Sequence, residues 1–214
     1  MQNGERKKEL SESGKGLIAV IKFFIVPRIA SLFIQSAAVR GIVTLLLFFV
    51  FAVCFCAMYS KTIKHDAKRI KEKALTLIIL TAITLAITVV GSLILGLVLG
   101  RLDAANANQD ALNEMFTAHI LLSSLVFVVF GPITEELVFR KALNGIFTNT
   151  TIFIIVSSVM FGIGHGIGIA TLYYIVMGIL YSLTYIKTEK NVVASFINHA
   201  VCNGVGVLGA LLLR

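Results

Sequence analysis

Residues 120–140 read ILLSSLVFVVFGPITEELVFR: two adjacent carboxylates and an arginine set into a run otherwise apolar enough to lie within a bilayer. Ionisable side chains at that depth are costly, and chains that keep them use them for chemistry or transport. Two further patterns follow in equally greasy surroundings, Phe161-x-x-x-His165 and His199-x-x-x-Asn203. Together they point to a reactive site built inside a membrane.

Composition agrees. Of the 214 residues, 57% are hydrophobic and only 14% charged, with a mean hydropathy of +0.93. A soluble domain of this size cannot hide so much apolar surface, whereas lipid can. About 20 residues rising ~1.5 Å each cross ~30 Å of hydrocarbon, and only helices satisfy their own backbone there in an unclosed chain. Apolar runs at 16–38, 41–59, 74–100, 115–146, 152–166, 168–186 and 191–213 predict an all-α, polytopic transmembrane helix bundle. Six to seven spanning helices are expected, and seven are favoured. The first run carries Lys22, Arg28 and Gln35 after Lys15, at spacings of six or seven, so it either spans or lies in the interface as an amphipathic helix. The chain divides into a polar cytoplasmic tail (1–15), N-terminal transmembrane helices (16–110) and a helical core bearing the three patterns (111–214).

The net charge of +8 does not imply nucleic acid, because the basic residues collect between apolar runs. Arg6, Lys7, Lys8 and Lys15 precede the first; Lys61, Lys64, Lys68, Arg69, Lys71 and Lys73 fill a loop at 60–73. Cytoplasmic loops carry such an excess. On that rule the 60–73 loop faces in, and the 101–114 loop with Asp103, Asp110 and Glu114 faces out. Arg140, Lys141, Lys187 and Lys190 then fall near the inner face, as in a multi-pass cell-membrane protein whose partner is the lipid bilayer. Cys54, Cys56 and Cys202 lie in apolar runs without C-x-x-C spacing, so neither a disulfide framework nor a structural zinc site is indicated. The first apolar run follows fifteen polar residues and holds two cations, unlike a cleavable signal peptide.

With helix ends near 146, 152 and 190, Glu135, His165 and His199 lie roughly 16, 19 and 14 Å from the inner face. Three patterns far apart in sequence reach one level. Glu136 and Arg140 are spaced i, i+4 with the acid first, the better order for an ion pair. Adjacent helical residues point about 100° apart, which leaves Glu135 on another face, free to accept a proton. Gly131-Pro132 should kink or break the helix and admit water. His165 lies among Gly162, Gly164, Gly166 and Gly168; His199 and Asn203 share one helical face, suited to donating to an oxyanion, to part of a metal site, or to interhelical packing. Singly, each pattern has a structural reading; jointly they read as one site.

In this order on successive helices, the three patterns resemble the CPBP family, the type II CAAX prenyl endopeptidases and their bacteriocin-processing or immunity relatives. The resemblance covers roughly residues 112–213. It implies an intramembrane protease in which Glu135 activates the attacking water with help from His165, while His199 and Asn203 stabilise the oxyanion. Glu136, Arg140 and Phe161 would support the site. Metal dependence stays open: a metal would use Glu135, His165 and His199. The chain lacks H-E-x-x-H, so a metal-free glutamate mechanism is preferred over a divalent ion such as zinc.

Other chemistries fit less well. An aspartyl mechanism needs two aspartates within spans, but Asp66, Asp103 and Asp110 fall in loops. Ser157, Ser158 and Ser195 are present without a G-x-S-x-G pattern. A transporter would be expected to show internal repeats, and none is evident. The alternative kept is a non-catalytic immunity or scaffold protein of the same family. The expected substrate is a membrane-associated protein or peptide, whether prenylated or a peptide precursor. The site is expected to open toward the cytoplasm, in a bacterial chain to judge from its short length and Lys-rich loops.

Overall fold

The computed structural model describes residues 11–34, 36–102 and 120–212. Gln35, Asp103, Asp110, Glu114, the tail basic residues Arg6 to Lys8 and residues 115–119 lie outside them. Among the described residues every regular element is helical. Helix α1 is Glu12–Phe33, α2 Ala37–Met58, α3 Ser60–Arg69 and α4 Ala74–Leu102, with a 3₁₀ turn at Ile70–Lys73 between the last two. Helix α5 is Ile120–Ile146, α6 Thr150–Gly164, α7 Ile169–Lys187 and α8 Val192–Leu212.

Among the described residues six stretches are long and apolar enough to cross a membrane, so the chain is a multi-pass membrane protein. The remaining apolar helix, α6, has 15 residues, a rise of about 22 Å against ~30 Å of hydrocarbon. It ends early because His165 and Gly166 turn the chain. Gly166 sits at φ +109°, a conformation that L side chains rarely adopt.

The basic 60–73 segment is not a loop, as expected from its charge, but α3 with its 3₁₀ extension. Lys and Arg are good helix formers, and the segment has an inner face to cover. Lys61, Lys64, His65 and Lys68 stay exposed while Asp66 turns inward and is buried. Its Oδ2 accepts the Val192 backbone amide at 2.9 Å, and its carbonyl accepts Asn191 Nδ2 at 2.9 Å. Asn191 Oδ1 in turn accepts from the Ala194 amide. The unpaired amides opening α8 are thus capped by its own Asn191 and by α3. Asp66→Ala is expected to cost about 0.5–2 kcal/mol, the range for a lost cap, read from unfolding in detergent.

One end of the bundle gathers the charge. Glu12 meets Lys141 at 3.0 Å, Ser13 donates to the Gly145 carbonyl at 2.7 Å, and Glu189 pairs with Lys73 at 2.7 Å and with Arg69. Lys73 first, then Arg69, holds the exposed Glu189 carboxyl below its usual range. The start of α1, the ends of α5 and α7, and α3 therefore share one face, which the positive-inside rule assigns to the cytoplasm.

Helix α5 runs through the middle. The break expected at Gly131-Pro132 is instead a π turn at Val126–Phe130, after which Pro132 opens a regular turn at Gly131–Glu136. Proline has no N–H to give to the preceding turn; the Gly131 amide reaches back five residues to the Val126 carbonyl, and the rod continues. A second π segment spans Leu137–Ala142. Such turns upset the regular backbone pairing, and within lipid any freed carbonyl needs a protein partner. Phe127 O accepts Asn203 Nδ2 at 2.9 Å, and Phe139 O accepts Ser157 Oγ at 2.6 Å.

Helices α6 and α7 form a close hairpin. A Cβ added at Gly178 would stand 2.8 Å from Ser158 Cα and 3.1 Å from its carbonyl oxygen. Backbone cannot yield as a side chain can. Gly178→Val is expected to destabilise the fold by about 1–3 kcal/mol through overpacking, measured as a lowered midpoint of unfolding in detergent.

Candidate active site

Glu136 and Arg140 are both fully buried one helical turn apart on α5, and Arg140 Nε lies 3.2 Å from Glu136 Oε2. The guanidinium also donates to the Gly178 carbonyl at 3.3 Å through Nη2 and sits 5.0 Å from the Phe161 ring centroid. Glu136 is further held from α8. Its Oε1 accepts His199 Nδ1 at 2.9 Å, and its Oε2 accepts Ser195 Oγ, which also donates to the Tyr181 carbonyl at 3.0 Å. Glu136 is therefore committed to structure on all sides.

Glu135 is different. Rotated away from that network, it is buried, and its Oε2 has no hydrogen-bond partner. It lines a cavity of about 940 Å³ together with His165, His199, Asn203 and Phe161. The Glu135 Oε2 and His199 Nε2 atoms are 3.8 Å apart, too far to bond directly and close enough to share one small molecule. A polar atom buried within the membrane needs a partner, and Glu135 Oε2 faces the cavity for it.

The partners of each ring set its tautomer. Because Nδ1 of His199 faces the Glu136 carboxylate, that nitrogen carries the proton and Nε2 presents a lone pair toward Glu135. His165 Nδ1 lies 2.8 Å from the Phe161 carbonyl, so it too donates there and leaves Nε2 to accept. Each imidazole is backed by a tyrosine. His165 stacks on Tyr174 at 4.2 Å between centroids, and His199 on Tyr181 at 4.2 Å. Tyr174 and Tyr181 are two turns apart on one face of α7. Phe161 fits between the two imidazoles, 4.5 Å from His165 and 5.7 Å from His199.

The fold thus brings Glu135, His165, His199 and Asn203 to one cavity, with Glu136, Arg140 and Phe161 packed behind them. Asn203 spends one amide hydrogen on Phe127 O and retains a second. Among the described residues no three His, Cys, Asp or Glu side chains gather as a metal-binding group. Glu135, His165 and His199 share the cavity without forming such a set. Ser195, Tyr174 and Tyr181 are additions to the expected residues. Ser195 precedes His199 by four, and the tyrosines are seven apart, spacings visible in the sequence only once their partners are known.

Phe23 and Phe24 from α1, Phe51 from α2 and Phe139 from α5 also line the cavity. Phe23 and Phe24 meet Phe139 edge-on at 5.5 and 6.0 Å.

Comparison with known proteins bears on the same region. The chain is 34% identical over 86 residues to a Bacillus subtilis protein named "Putative membrane peptidase YdiL", an alignment covering 39% of this chain and 35% of that protein. It is 27% identical over 175 residues to an uncharacterized Mycoplasma capricolum protein, covering 74% of this chain and 52% of the relative. The chain thus spans between a third and about half the length of these relatives. No solved structure matches. The resemblance carried by the three motifs is nonetheless shown where the site lies: residues 117–205 match the type II CAAX prenyl endopeptidase Rce1-like family.

Proposed function

We propose that this chain is an intramembrane endopeptidase that hydrolyses a peptide bond of a membrane-associated protein or peptide with water activated by Glu135. What carries the reading is the unpartnered Glu135 Oε2, buried in a cavity 3.8 Å from His199 Nε2. Water held between Glu135 and the accepting Nε2 of His165 loses a proton to Glu135 as its oxygen bonds to the peptide carbonyl carbon. A second water bridging the 3.8 Å between them relays that proton from Glu135 to His199 Nε2, whose other nitrogen is anchored on the Glu136 carboxylate. The imidazolium so formed, with the second amide hydrogen of Asn203, donates to the tetrahedral oxyanion. Collapse breaks the C–N bond and returns the proton to the leaving amine, giving a carboxylic acid and an amine from one water.

Each contribution is of ordinary size. A positioned general base supplies about 10²–10⁴-fold, and an oxyanion donor about 10²–10³-fold. The test is cleavage of a membrane-anchored reporter peptide by the purified full chain and its Glu135→Gln variant, with and without EDTA. Cleavage by wild type in EDTA and none by the variant supports the reading. Equal cleavage by both overturns it, and a wild type silenced by EDTA replaces glutamate-activated water with metal chemistry.

A further inference from the structure

Beside His199 on α8 lies a polar residue that the reaction leaves unused. Asn198 is fully buried, as are Thr84 of α4 and Thr184 of α7, the two side chains that its amide meets. Its Nδ2 lies 3.1 Å from Thr84 Oγ1 and 2.7 Å from Thr184 Oγ1. Each threonine gives its one hydroxyl hydrogen to its own helix, Thr84 to the Leu80 carbonyl at 2.7 Å and Thr184 to the Leu180 carbonyl at 3.0 Å. Both hydroxyls can then only accept, and the Asn198 amide supplies one hydrogen to each. Turned over, the amide would set its oxygen against two others with no hydrogen between them. That oxygen instead accepts the Cys202 thiol at 3.7 Å. The junction admits one arrangement and joins three helices at a single point.

Helix geometry says what the junction holds. Ser195 and His199 both reach Glu136, and two ties from one face to one side chain leave a helix free to roll about them. Asn198 points about 100° around the axis from His199, so its tie opposes that roll. It also fixes α7, because Thr184 is three residues past Tyr181, the ring on which His199 stacks at 4.2 Å. Adjacent residues of α8 thus meet one face of α7. The bond from His199 Nδ1 to Glu136 spans 2.9 Å, and a slip of about 1 Å would carry it beyond hydrogen-bond reach. Asn198, Thr84 and Thr184 are not among the described residues lining the cavity. Thr84 also lies outside residues 117–205, which carry the family match.

We propose that Asn198 is a positioning residue: clamped by Thr84 and Thr184, it sets the roll of α8 at which His199 keeps Nδ1 on Glu136 and Nε2 toward Glu135. The N-terminal helices thereby complete the site through Thr84. The inference rests on the protease reading for the activity served, but not for the tautomer of His199 that the clamp enforces. A tie that only glued helices together would lower stability and leave that tautomer alone.

The purified full chain, labelled with nitrogen-15 histidine, gives both readouts. Turnover of the membrane-anchored reporter peptide is compared for wild type, Asn198→Leu, Thr84→Val and Thr84→Ser, each normalised to folded protein. Thr84→Val keeps the shape and removes the acceptor, so it decides the matter even where Asn198→Leu does not fold. Both of these are expected to lower kcat by about 10–10²-fold, the scale for a catalytic group misplaced by an ångström. KM should stay within about twofold of wild type, and Thr84→Ser should restore kcat. The nitrogen resonances that a His199→Gln chain lacks are expected to report hydrogen on Nδ1 in wild type and Thr84→Ser, and mixed tautomers in Asn198→Leu and Thr84→Val. Wild-type turnover in Thr84→Val, equal losses in Thr84→Val and Thr84→Ser, or an unchanged His199 tautomer in Thr84→Val overturns the proposal. If no chain cleaves the peptide yet the tautomers mix only where the junction is cut, the clamp stands and the protease reading falls. Cleavage by wild type with a tautomer indifferent to the junction does the reverse.

Discussion

Glu135→Gln is expected to lower peptide cleavage by about 10²–10⁴-fold, the weight of a positioned general base, while the protein stays folded in the membrane. The substitution keeps the size of the side chain and removes its ability to take a proton. The neighbouring structure supplies no substitute. Glu136 is saturated by Arg140, His199 and Ser195, and His165 Nε2 has no carboxylate anchored behind its ring. Stability should barely change, because Glu135 Oε2 forms no hydrogen bond to lose. Parallel measurement of turnover and of the unfolding midpoint in detergent checks both halves. A variant that unfolds early, or one that turns over at the wild-type rate, contradicts the division of labour between the two glutamates.

The reverse pattern is expected next door. Glu136 and Arg140 are fully buried, so deleting either partner strands a charge away from water. Arg140→Met or Glu136→Gln should each cost about 3–5 kcal/mol, the range for breaking a buried ion pair. The double variant is expected to cost less than the sum of the two singles, since neither charge is then left alone. Arg140→Lys should recover only part of the loss. An ammonium keeps the charge but not the planar fork that reaches Glu136 and the Gly178 carbonyl together. Unfolding free energies of the four chains decide this, and additive costs would mean that the pair is not coupled.

Much of this was legible in the chain itself. Apolar runs marked the membrane helices, since lipid leaves few other solutions. The i, i+4 spacing of Glu136 and Arg140 separated the two carboxylates before any coordinates, because a helix turns adjacent residues apart. Local pattern failed where partners come from elsewhere. Nothing in Ser60–Lys73 announces that Asp66 will reach across to the start of α8, so the segment read as a loop. Gly131-Pro132 reads as a kink or a break because the i−5 bond that carries the helix through it depends on the whole helix being held in place. The phenylalanines lining the cavity come from three helices, and Phe23 and Phe24 look in sequence like any other lipid-facing residues.

Tyr174 and Tyr181 back the two imidazoles from a single rod, and Gly178 lies between them, pressed on Ser158. Any wedge that prises that rod from its neighbour would swing both rings off target in concert, and pull the Gly178 carbonyl from Arg140 as well. Bulk introduced at a position touching neither reactant nor water would then silence hydrolysis before it unfolded the chain.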